Sequence, residues 1–155
     1  MEKKLHFTTD YSQFYICDKG SPKDTGSDSF WTEEAYRDRL AVGKGILGVL
    51  IESYDEVRCD LEIAETDPKV DLTYCEHTVE GSLEIPSGTL QVLDCLNRTV
   101  EFETSLTPGI YRIRILSFHI SSAEEAQNDF YKVQIWKEKS LREREVTKRF
   151  KRINR

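Results

Sequence analysis

No stretch of this sequence approaches the roughly 20 consecutive apolar residues needed to cross a bilayer. The first eight residues carry Lys3 and Lys4, but no apolar run follows them, so they do not read as a secretory signal. The expected compartment is therefore the cytoplasm, with the membrane periphery reached only through a partner. Cysteine is scarce: Cys17, Cys59, Cys75 and Cys95 lie far apart with no C-x-x-C pair, and in a reducing compartment they read as buried thiols. The histidines are His6, His77 and His119, none at zinc-ligand spacing from another ligand type. Gly43, Gly45 and Gly48 lack the Lys-Ser/Thr that completes a phosphate loop. No Asp-x-Asp-x-Asp-Gly calcium loop is present; Asp55 and Glu56, with Glu52 and Tyr54, read as a solvated turn. Cys75 and His77 share a strand face, the spacing of a nucleophilic pair. The simpler reading is a core thiol beside a half-exposed imidazole. No catalytic residue, metal or cofactor is assigned, and the chain is expected not to be an enzyme.

What the sequence does have is charge, unevenly placed. Residues 137–155 hold nine basic and three acidic side chains, a net of +6, whereas residues 1–136 hold 13 basic and 25 acidic, a net of −12. The division expected is an acidic domain over 1–137 and a basic tail over 138–155. Such a body repels nucleic acid and attracts basic proteins, and its tail does the reverse.

Hydrophobic periodicity points to a mainly β fold. Aromatic-rich Tyr11–Cys17 reads as a strand, followed by a polar loop over 18–29. One short helix is expected near residues 33–41. Thr32 is its N-cap, Glu33 and Glu34 complement its dipole, Trp31 and Tyr36 staple it, and Gly43 and Gly45 stop it. Gly45–Glu52 is apolar enough for a strand buried on both faces. Val57–Ile63 alternates, with Arg58, Asp60 and Glu62 pointing outward. Leu72–Val79 and Leu83–Ile85 are weaker strands, Pro86-Ser87-Gly88 is a turn, and Thr89–Leu96 is a strand linked by Asn97-Arg98 to Thr99–Leu106. Pro108-Gly109 carries type II turn chemistry before Ile110–Phe118. A polar loop over Ser121–Asp129 leads to the last strand, Phe130–Trp136. About eight or nine short strands at this spacing predict an antiparallel β-sandwich. The tail, with Leu141, Val146, Phe150 and Ile153, reads as a thin-striped helix or a frayed end.

Two surfaces suggest recognition of a basic protein: Trp31 with Glu33, Glu34 and Asp38, and the outward carboxylates Asp60 and Glu62. Glu101 and Glu103 extend the second if their strand shares its sheet face. Solubility and edge protection are the simpler reading of exposed glutamates on a sheet.

Several of these pieces recur together. Tyr11-x-Gln13-Phe14, then Trp31-Thr32-Glu33-Glu34-Ala35, Gly88-Thr89-Leu90-x-Val92, and Phe102 ahead of Pro108-Gly109-Ile110-Tyr111-Arg112-Ile113 resemble the competence protein J family. Its founding type inhibits the nuclease through which DNA enters competent bacteria. The resemblance spans about residues 11–137; Val57–Glu80 aligns poorly and the basic extension departs from it. It implies an inhibitor or immunity-type partner of a nuclease, acting by steric and electrostatic block. Two other readings stay open. One is a small-ligand or carbohydrate-binding sandwich with Tyr11, Phe14, Tyr15 and Trp31 lining a pocket. The other is a membrane-surface or nucleic-acid adaptor working through residues 138–155.

Overall fold

The computed structural model describes residues 1–96, 99–121 and 128–151. The link at Asn97-Arg98, most of the loop before the last expected strand, and Ile153 lie outside the described residues. Two sheets face each other. The first has the order β1 (Glu2–Thr8), β5 (Glu56–Ala64), β10 (Phe130–Glu138), β9 (Gly109–Phe118), β6 (His77–Ile85) and β11 (Glu145–Lys148). The second runs β3 (Leu40–Gly43), β4 (Ile46–Leu50), β2 (Gln13–Asp18), β7 (Thr89–Asp94) and β8 (Val100–Ser105). The mainly β sandwich with one short helix, α1 (Glu33–Asp38), is as expected. Pairing is antiparallel except between β5 and β10.

Alternation builds the core. On β5, Val57, Cys59 and Leu61 are buried inward while Arg58, Asp60 and Glu62 face out. They meet Leu5 and Phe7 of β1, Ile113 and Ile115 of β9, and Phe14 and Ile16 of β2 in one cluster. The Phe7 and Phe14 rings pack edge-to-face at 5.9 Å across the two sheets. The second sheet is buried on its outer face too. There the loop before α1 lays Phe30 and Trp31 over Tyr15, Cys17, Ala41 and Ile46 in a second, smaller cluster. This explains the uninterrupted apolar run of β4. Close approach matters here: a Cβ at Gly48 would fall 2.8 Å from the Trp31 ring.

The structure changes several local expectations. Among the described residues eleven strands form, because β1, β3 and β11 join those read from the sequence. Residues 72–79 and 83–85 are not two weak strands; His77–Ile85 is one continuous strand, and Leu72–Glu76 lies outside it. Tyr11 and Ser12 do not belong to β2; both adopt left-handed backbone (φ 58° and 57°) and turn the chain from one sheet to the other. The glycines do not stop α1. Arg39 does, in left-handed conformation (φ 65°), its N–H reaching back to Ala35 O and Tyr36 O, and β3 starts immediately. Pro108-Gly109 makes no type II turn, since Gly109 (φ 157°) already opens β9. The tail, where described, is neither helical nor frayed: β11 adds to β6, with Val146 and Phe150 packed on the core.

The outer face of the first sheet carries a buried polar network. Glu80 accepts from Arg112 Nε (3.0 Å) and Arg114 Nε (3.1 Å). Arg114 also donates to Gln134 Oε1 (2.9 Å), and Gln134 in turn to Glu62 (3.0 Å). Arg112, fully buried, donates to Ser82 and to the carbonyls of Arg142 and Glu143. Arg114 also lies 4.6 Å from the Trp136 ring centre. Satisfied this way, two guanidiniums are tolerated inside, and they bind the start of the tail to the body.

Candidate partner-binding surfaces

Thr32 caps α1 as its sequence predicts, its hydroxyl accepting from Ala35 N–H at 3.1 Å. Trp31 is 9% exposed; its ring stacks on Tyr36 (5.0 Å) and meets Phe30 edge-on, the predicted staple. Glu33 and Glu34 project into solvent. Asp38, at the last turn, is occupied from within the chain: Arg144 Nε lies 2.8 Å from Oδ2 and Arg149 Nη2 2.6 Å from Oδ1. Burial opposes ionisation of Asp38, but the two guanidiniums outweigh it and hold its carboxyl below its ordinary value. Glu34 is touched by Arg144 at 3.8 Å. The basic tail thus lies along part of the acidic surface expected to meet a basic partner.

Asp60 and Glu62 stand on the outer face of β5 beside Lys132 of β10, which reaches Glu62 at 3.8 Å. Asp60 pairs in register with Lys4 and Lys132. Glu101 and Glu103 stand on β8 in the other sheet, so the two strands do not share a sheet face and the four carboxylates make no single row. Among the described residues no three His, Cys, Asp or Glu side chains are placed to hold a metal ion. No helix there is long and apolar enough to cross a membrane.

The aromatic pocket does not assemble. Phe14 and Tyr15 point to opposite faces of β2, one into each cluster. Tyr11 is exposed and Trp31 covered. Nor do Cys75 and His77 pair: the Cys75 thiol meets Thr78 Oγ1 at 3.1 Å, and His77 is fully buried, not half-exposed. Its Nδ1 accepts from Phe150 N–H (3.0 Å), which puts the ring proton on Nε2, donated to Asp38 O (2.8 Å). Burial, reinforced by Arg39 and Arg149, lowers its pKa to about 4, so it is a neutral structural ring at pH 7. All four thiols are free and buried as expected, and burial pushes Cys17 up to about 11, the reverse of nucleophile activation.

Sequence reading missed the end of the sandwich where β2 begins. There Thr9 N–H donates to Asp55 O (2.8 Å), Ser12 N–H to Tyr54 O (3.0 Å), and Cys95 N–H to Thr9 Oγ1 (2.7 Å). These bonds tie three loops together. Asp129 braces the middle one, its Oδ2 accepting from the N–H groups of Glu52 and Ser53 (3.0 Å each) and from Tyr131 OH (2.8 Å). Arg39 Nη1 holds Glu52 at 3.0 Å, so the end of α1 abuts the same place. Tyr11, Tyr54 and Leu96 remain exposed on these loops. No sequence periodicity marks loop residues that converge only through topology.

Against known proteins, no family model and no curated sequence matches this chain. Two solved structures share its fold. ComJ from Bacillus subtilis, described as an inhibitor of the DNA-degrading activity of NucA, superposes with a TM-score of 0.67 at 14% identity, over 88% of this chain and 96% of its own. The protein of crocagin biosynthetic gene J does so with a TM-score of 0.54 at 17% identity, over 90% and 99%. The chain has a ComJ-like fold, in agreement with the resemblance seen in its sequence.

Proposed function

We propose that this chain is a non-catalytic inhibitor that binds a nuclease and blocks it by bulk and charge. The observation that carries this reading is the ComJ-like fold over nearly nine-tenths of the chain, since ComJ is described as inhibiting a DNA-degrading activity. The charge balance supports it. Nucleases hold phosphates in basic grooves, and a body with a net charge of −12 over residues 1–136 complements such a groove and speeds encounter.

In this reading residues 1–137 are the inhibitory unit, cytoplasmic and brought to the membrane periphery only through the partner. Among Trp31, Glu33, Glu34, Asp38, Asp60 and Glu62, Glu33 and Glu34 offer the most accessible negative charge. Asp60 and Glu62 add to the field from another face, and Trp31 acts by holding α1 in place. Asp38 is shared with the tail 138–155, which the partner must displace or accommodate.

The test is DNA degradation by a panel of purified nucleases, NucA included, titrated with the full chain at low and moderate salt. Inhibition that weakens with salt supports the proposal. If every nuclease degrades DNA at its uninhibited rate, the reading is wrong.

A further inference from the structure

Five non-glycine residues among those described hold positive φ: Tyr11, Ser12, Arg39, Leu96 and His119. Left-handed backbone is costly for side chains with a Cβ and persists where the surroundings impose it. All five lie at one end of the sandwich, in the connections after β1, α1, β7 and β9. The positive-φ glycines, Gly45, Gly88 and Gly109, lie at the opposite end, where Asp18 N–H meets Gly45 O and Leu106 N–H meets Gly88 O. Positive-φ positions are therefore filled by glycine at one end and by residues that carry a Cβ at the other, four of the five with long or aromatic side chains.

Two of the side chains carried by this backbone, Tyr11 and Leu96, are apolar and exposed, whereas Ser12 and His119 are polar and Arg39 is buried against Glu52. Tyr11 is 60% and Leu96 48% exposed, and Tyr54, bonded through its carbonyl to Ser12, is 63% exposed. Nothing within the described fold needs a tyrosine ring in solvent at Tyr11, because a turn with two left-handed residues is best made by Asn or Gly. The loops beneath are pre-set by the Thr9, Asp129 and Arg39 hydrogen bonds. Rigid, exposed tyrosines on braced loops are what binding anchors require.

We propose that Tyr11, Tyr54 and Leu96 form the apolar anchor by which this chain seizes its partner, with Asp55 supplying charge at its rim. This rests on the nuclease-inhibitor reading and deepens it: acidic residues steer the encounter, and this loop end sets the lifetime of the complex. Charge complementarity selects the occupant. Asp55 is exposed, carries no ion pair among the described residues, and adjoins Tyr54, which suits the basic surface of a nuclease better than a second copy of an acidic chain.

The experiment uses whichever nuclease in the panel the full wild-type chain inhibits. Tyr11→Ser, Tyr54→Ser and Leu96→Ser are each titrated beside Tyr54→Phe and Lys44→Ala, the last at the glycine end. The anchor predicts about 30-fold weaker inhibition for Tyr54→Ser, arising in the dissociation rate, with Tyr54→Phe and Lys44→Ala near wild type. Circular dichroism establishes that the variants fold. If all three serine variants inhibit within about twofold of wild type, the anchor is refuted while inhibition stands. If light scattering shows a wild-type dimer that the serine variants split without losing inhibition, the surface belongs to self-association and the proposal fails. Should the wild type inhibit nothing, the functional reading falls and takes the anchor with it.

Discussion

At the end of the sandwich where β2 finishes, the chain turns on Gly45 and Gly88, and Asp18 ties the turns with bonds to Gly20 and Ser87. At the end where β2 begins, the equivalent backbone conformations fall on Tyr11, Ser12, Arg39, Leu96 and His119. The strand termini at both ends pose the same geometric problem, reversal of a twisted chain within a few residues. One end solves it with the residue type that costs least, and the other retains side chains at roughly 1–2 kcal/mol per left-handed residue. Geometry alone does not explain that asymmetry. A demand on the side chains does, and proteins commonly trade stability for function in this way.

The comparison breaks most visibly at the glycine end. A Cβ at Gly45 would lie 2.6 Å from Ser21 Cβ, on backbone at φ 70°. Gly45→Ala should destabilise the fold by about 2–3 kcal/mol, read by urea unfolding. Inhibition by the folded fraction should not change. Loss of inhibition with unaltered stability would mean that the two ends do not divide the labour as argued.

Next in size is a response to acid confined to the other end, where the tail's Phe150 bonds His77. The folded chain keeps His77 neutral down to about pH 4, whereas its ordinary value is 6.5. The unfolded chain therefore binds the extra proton in that window. Stability should be full above about pH 6.5 and fall as pH drops toward 4, at a slope on the order of 1 kcal/mol per pH unit. Asp38 and Glu76 are held low as well; burial resists their ionisation, but arginines at one and the Ser121 and Ile120 hydrogen bonds at the other prevail. They act chiefly below their ordinary values of 3.8 and 4.5. Glu101, raised by burial and by Asp94, acts in the opposite sense above 4.5. The imidazole's share is therefore the difference in slope between wild type and His77→Gln. His77→Gln keeps a donor and an acceptor and should flatten the slope; an unchanged slope would assign the acid response elsewhere.

These contrasts also show which parts of the fold were legible in sequence. β5 was, because Val57, Cys59 and Leu61 alternate with charges and only one sheet face is buried apolar. The cap and staple of α1 were, since both are local. β11 was not: Val146 and Phe150 are four apart, a spacing that suits a strand and a helix equally, and only pairing with β6 decides. The burial of Arg112 and Arg114 was hidden because their partners Glu80, Ser82 and Gln134 come from other strands. Tyr11 was misplaced in a strand because aromatic propensity carries no information about φ. For the candidate surfaces, Glu33 and Glu34 were visible as charge, but the occupation of Asp38 by the tail and the convergence of Tyr11, Tyr54 and Leu96 are products of topology.

The strain itself can be sharpened into a number. Tyr11→Gly removes the Cβ that makes φ 58° unfavourable, and the gain is partly offset by the greater freedom of glycine in the unfolded chain. A net stabilisation of about 1 kcal/mol is expected in urea unfolding, together with weaker inhibition. Stabilisation accompanied by undiminished inhibition would leave the strain without a purpose. A destabilised variant would show that the ring, despite its exposure, packs in a way the fold needs.

Tyr54→Ser should have the smallest effect on stability and is for that reason the most discriminating. Tyr54 is 63% exposed and is not among the positive-φ residues, and its known tie to the fold is a backbone carbonyl that serine retains. No buried area of consequence is lost, and no left-handed conformation is relieved. The change in unfolding free energy should stay within about 0.5 kcal/mol. Against that flat background, any weakening of inhibition reports lost contact with the partner, free of the stability change that accompanies Tyr11→Gly. If Tyr54→Ser unfolds more easily by well over 0.5 kcal/mol, the tyrosines at this end serve the fold, and the asymmetry between the two ends reflects packing instead of recognition.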